Sequence, residues 1–66
     1  MMLNEYEGKK VIVETIDHKI FRGFVGDYIF PEDNNNGEES IVIDAIGNKN
    51  PVELFRSDIS SISIIE

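Results

Sequence analysis

Residues Gly8–Val25 read GKKVIVETIDHKIFRGFV, and this stretch decides the fold. Lys9 to Ile16 is rich in β-branched side chains, which fit a pleated, half-buried surface. Asp17-His18 follows, and Lys19 to Phe30 (KIFRGFVGDYIF) resumes an aromatic and aliphatic run. Two such runs joined by two turn-forming residues predict a β-hairpin. A two-residue type I′ turn needs positive φ at both central positions, where Asp-Gly is favoured. His18 stands in the glycine position, and histidine tolerates positive φ better than most residues. It is read as a turn residue, since it is the sole histidine and no cysteine accompanies it to complete a metal site.

The same punctuation continues outward. Pro31 to Glu38 (PEDNNNGE) is a polar, acidic loop, taken as a solvent-exposed tip that tolerates shortening between Asp33 and Glu38. Glu39 to Ile46, Val52 to Arg56 and Ile59 to Ile65 complete a set of five strands. Gly23 and Gly26 interrupt the long second strand, where glycine marks a bulge, a corner or a close backbone approach. In a helix each would cost ~1 kcal/mol. Only Leu3 and Tyr6, three apart, allow a short N-terminal helical turn, marginal unless it docks on the rest. The expected core is Val11, Val13, Phe21, Val25, Ile41, Ile43, Leu54, Ile59 and Ile62.

A chain of 66 residues holds one domain, residues 1–66. At that size one core rarely supplies more than ~3–5 kcal/mol, and small domains lean on disulfides, metals or self-association. There is no cysteine, which excludes disulfides and cysteine zinc sites. Self-association is the route left. The first residues, MMLNEYEG, carry no signal peptide, and no apolar run is long enough to span a membrane. Together with the missing cysteine, this points to the cytoplasm.

The net charge is −7, unevenly spread. From Asp27 to Asp44 there are six carboxylates (Asp27, Glu32, Asp33, Glu38, Glu39 and Asp44) and no Lys or Arg. That region repels nucleic-acid phosphates and anionic lipid.

The hairpin resembles the first motif of Sm-like proteins. Val11 and Val13 match its apolar positions, Asp17 its turn, and Phe21 and Gly23 its aromatic and glycine. Leu54 to Ile62 (LFRSDISSI) resembles the second motif as found in Hfq, where a Lys-His pair precedes Ile-Ser-Thr-Ile. The resemblance covers about half the chain and implies a small five-stranded, SH3-like barrel, all-β. It also implies a ring built by joining the fourth strand of one subunit to the fifth of the next. The departures are informative: Thr15 replaces a bulky aliphatic residue, His18 the turn glycine, and Ser57 the histidine of the Lys-His pair. No base-binding Asp or Asn can be carried over.

Catalytic chemistry finds no footing. Serines 57, 60, 61 and 63 have no histidine base near in sequence, and there is no glycine-rich phosphate loop. A calcium template starting at Glu32 places Ile43 where the bidentate Glu belongs. The expectation is a non-enzyme with no cofactor and no metal. Residues suited to RNA are Tyr28, Phe55, Arg56 and Ser57; residues suited to a subunit interface are Leu54, Ile62, Ile64 and Ile65. Strand five contains only Ile and Ser between Ile59 and Ile65, an edge that invites pairing. The favoured function is a self-assembling protein-interaction module; the alternative is an Hfq-like RNA-binding protein.

Overall fold

Every strand foreseen from the β-branched runs forms. The computed structural model describes residues 2–65. Strand β1 spans Lys10–Thr15, β2 Ile20–Ile29, β3 Ser40–Ala45, β4 Val52–Phe55 and β5 Ile59–Ile64. All neighbours are antiparallel, in one sheet of order β4-β3-β2-β1-β5. The fold is all-β, joined by 3-10 turns at Leu3–Tyr6, Pro31–Asp33 and Arg56–Asp58.

Alternation sorts the side chains. Along β1, Val11, Val13 and Thr15 are buried while Lys10 and Ile12 are exposed. Cross-strand register then lines up Val11 with Gly23 and Ile64, and Val13 with Phe21 and Ile62. Leu3, Val11, Val13, Val25, Ile41, Ile43, Leu54 and Ile59 form the buried cluster. Phe21 and Ile62, expected in the core, are only half-buried against it. Phe21 faces an open cleft beside the hairpin turn, bordered by Thr15, Val52 and Leu54, so solvent reaches its ring.

Leu3 was not foreseen as core. Its 3-10 turn docks on the sheet and inserts a fully buried side chain into the cluster. A single apolar residue carries no periodic signal, so only the docking reveals it.

The hairpin turn differs from the expected two-residue form. Thr15 N–H donates to the Lys19 carbonyl at 2.9 Å, and His18 N–H to the Thr15 carbonyl at 2.9 Å. The loop is therefore Ile16-Asp17-His18, with only His18 at positive φ, 67°. This is the three-residue arrangement in which the last position is left-handed. Thr15 explains the change. Its hydroxyl donates to the Asp17 carboxylate and accepts the Lys19 N–H at 3.1 Å. The Thr15 bond, aided by Lys19, holds the Asp17 carboxyl below its usual value.

The two glycines of β2 have separate reasons. A Cβ on Gly23 would lie 2.0 Å from the Asp44 carbonyl oxygen, so β2 and β3 approach there as only glycine allows. Gly26 sits where the β2–β3 register shifts, between Val25 and Asp27. The extra residue bends the strand.

The acidic loop is exposed at Asn35–Gly37 but is not a loose tip. Asn34 Nδ2 donates to the Glu38 carbonyl at 2.8 Å and to the Ser40 hydroxyl at 3.0 Å. Ser40 is fully buried and donates in turn to Glu53 Oε2 at 2.8 Å. Shortening that removes Asn34 would strip a buried hydroxyl of a partner, so tolerance is confined to Asn35–Gly37.

Candidate functional site

The residues suited to RNA do converge, but around carboxylates. At the far end of β2, Tyr28 and Phe30 form an edge-to-face pair with centroids 5.2 Å apart. The loop returns Glu38 and Glu39 beside them, and the 3-10 turn after β4 brings Arg56 and Ser57. Tyr28, Phe30, Glu38, Glu39 and Arg56 line a cleft of ≈ 420 Å³, with Ser57 following Arg56 in the turn.

Glu39 is its hub. Its side chain is 12% exposed, and Oε1 accepts the Tyr28 phenol at 2.8 Å and the Leu3 N–H at 3.2 Å. Oε2 lies 3.8 Å from Arg56 Nε. Glu38 holds the other half of the turn, accepting Ser57 N–H at 2.9 Å and the Ser57 hydroxyl at 3.0 Å. Burial first, then the bond to Glu39, pushes the Tyr28 phenol above its ordinary value.

The consequence is chemical. Arg56 faces a carboxylate, and both polar groups of Ser57 are engaged by one. A phosphate entering this cleft would meet Glu38 and Glu39 before any uncompensated cation. Phe55 joins less directly: it is half-buried in β4 opposite Ser40, and its N–H donates to Asp58 Oδ2 at 2.9 Å. The engaging glutamates were visible in the sequence only as acidic loop residues, because 19 positions separate Glu38 from Ser57.

The interface candidates divide. Leu54 is 6% exposed and belongs to the core, because alternation turns it inward opposite Ile41. Ile62 is half-buried against the same cluster. Ile64 and Ile65 are exposed, at 47% and 41%. β4 and β5 end the strand order, so each has one edge without a strand partner among the described residues.

Among the described residues no group of three or more His, Asp or Glu side chains is placed to hold a metal ion, and no helix is long and apolar enough to cross a membrane. The chain matches no family model, no curated protein and no solved structure.

Proposed function

We propose that this chain is a non-enzymatic, cytoplasmic protein-interaction module of the Sm-like type, which self-assembles by pairing β5 of one copy with β4 of the next. One observation carries the reading: β4 and β5 lie at opposite ends of one five-stranded sheet, each with an edge that no strand of the described residues pairs. Natural edge strands are blunted with charge, proline or bulges. β5 carries neither charge nor proline, its six residues being Ile and Ser alone; its one irregularity lies at Ser60, where Glu14 and Thr15 pair with Ser61 and Ile59. A repeated head-to-tail contact of this kind closes into a ring when the rotation permits. It also adds the buried surface that so small a core lacks.

Sedimentation velocity at micromolar concentration tests this. The expected result is an oligomer that a Ser61→Lys, Ser63→Lys double variant dissociates. A monomeric protein, or one whose assembly ignores both lysines, overturns the proposal.

The second reading, an Hfq-like RNA-binding protein, draws on Arg56 standing beside the Tyr28–Phe30 pair, since aromatic faces and cations together suit single-stranded RNA. Glu38 and Glu39 weigh against it. Titration with labelled U-rich and A-rich oligonucleotides at moderate salt separates the two readings. Submicromolar binding lost on Arg56→Ala would establish the second.

A further inference from the structure

The face of the sheet opposite the core is unusually apolar for so acidic a domain. Alternation places Ile12 on β1 and Ile20, Arg22 and Phe24 on β2 there; Ile12 pairs with Arg22 in register. Ile46 joins them, its N–H donating to the Arg22 carbonyl at 2.7 Å. Ile12, Ile20, Phe24 and Ile46 are 37%, 57%, 44% and 77% exposed. Arg22, Phe24, Ile46 and Ile65, with Lys10 and Asp44, line a shallow groove of ≈ 460 Å³. Contiguous apolar surface rimmed by polar residues marks interaction sites.

Arg22 gives this face its chemical character. Among the described residues its guanidinium forms no ion pair and no side-chain hydrogen bond. An unpaired guanidinium amid aliphatic and aromatic side chains matches the composition of interface hot spots. Its planar fork fits a carboxylate through two parallel hydrogen bonds.

We propose that this face binds a protein partner through an extended aliphatic segment bearing an aspartate or glutamate. The carboxylate sits on Arg22, and the flanking aliphatic side chains pack against Ile12, Phe24 and Ile46. The proposal rests on the protein-interaction reading and names the partner's chemistry. A nucleic acid fits worse. Its bases need aromatic faces, whereas three of the four apolar residues here are isoleucine. The groove's two cations, Arg22 and Lys10, set against Asp44, suffice for one carboxylate but neutralise too little of a phosphate backbone. Its central residues, Arg22 and Phe24, lie on β2, away from the edge strands β4 and β5, while Ile65 borders both this groove and the end of β5.

Selection of random twelve-residue peptides displayed on phage against the immobilised protein tests the proposal. The expected consensus is one Asp or Glu flanked by aliphatic residues. The best synthetic peptide should lose at least tenfold in affinity on Arg22→Gln and on Phe24→Ser, and keep its affinity on Lys49→Gln. Both altered residues are exposed, and circular dichroism confirms that the variants fold. Failure to enrich peptides, a consensus without an acid, or affinity unmoved by Arg22→Gln overturns the proposal. So does a U-rich oligonucleotide that displaces the peptide and is itself lost on Arg22→Gln. Sedimentation of the same samples keeps the two readings apart: peptide binding by a monomer defeats the ring alone, and an intact oligomer without peptide binding defeats this proposal alone.

Discussion

Tyr28 donates its phenol hydrogen to Glu39 Oε1 at 2.8 Å, tying the end of β2 to the residue before β3 and, through Arg56, to the turn after β4. The same oxygen takes the Leu3 N–H, so one carboxylate joins the N-terminal turn to the sheet.

This bond has a pH signature. Burial and Glu39 raise the Tyr28 phenol above its ordinary 10.0, so the folded chain holds that proton more tightly than the unfolded one. The associated stability is fully present below pH 10.0 and declines as pH rises through the folded value. Ultraviolet titration of phenolate should show Tyr28 ionising late, and Glu39→Gln should bring its midpoint down. An unmoved midpoint would remove Glu39 as a cause.

Leu3→Ala should cost ~2–5 kcal/mol, the range for a fully buried aliphatic residue. Phe21→Ala should cost less than the ~3–5 kcal/mol of a buried phenylalanine, about 2 kcal/mol, because its ring is half-exposed. Urea denaturation of both variants gives the order; a costlier Phe21→Ala would contradict the docking of Leu3.

The β2 glycines should respond oppositely to alanine. Gly23→Ala forces backbone apart and should cost at least ~1–3 kcal/mol, as overpacking does. At Gly26 the nearest atom to a new Cβ is the end of the Asp44 side chain at 3.8 Å, ordinary contact. Gly26→Ala should therefore be neutral or stabilise by ~0.4–1 kcal/mol through the unfolded chain. Thermal melts of the pair distinguish the two sites.

His18 holds a left-handed backbone that costs an L-residue roughly 1–2 kcal/mol, while glycine gives back ~0.5–1 kcal/mol in entropy. His18→Gly should gain up to about 1 kcal/mol, although the exposed 3.2 Å contact to Glu14 is lost. His18→Val should destabilise, since a β-branched side chain fits that backbone worst. Chemical denaturation that ranks valine above glycine would refute the turn geometry.

The five strands and most of the core were legible because they rest on local pattern. Val11 and Val13 alternate with Lys10, Ile12 and Glu14, and a period of two fixes which side is buried wherever the partner face is dry. Gly23 and Gly26 announced an irregular second strand in the same way. The failures share a different cause. The turn lost its two-residue form because the Thr15 side chain competes for backbone partners, a contest that residue type alone does not rank. Phe21 reads as core, yet it lies where the sheet opens beside the hairpin turn.

The cleft at the other end was still less legible. Tyr28, Arg56 and Ser57 could be named from residue type, but not the carboxylates that occupy them. Sequence by itself determined an acidic all-β domain with five strands and a bare fifth strand, since composition and alternation are local quantities. Tertiary structure alone decided that Leu3 seals the core, that Glu38 and Glu39 clasp the turn carrying Arg56, and that Arg22, without an ion-pair partner among the described residues, stands among exposed isoleucines. Each of those depends on residues far apart in the chain coming within a few ångströms, and pairing, burial and charge compensation exist only at that distance.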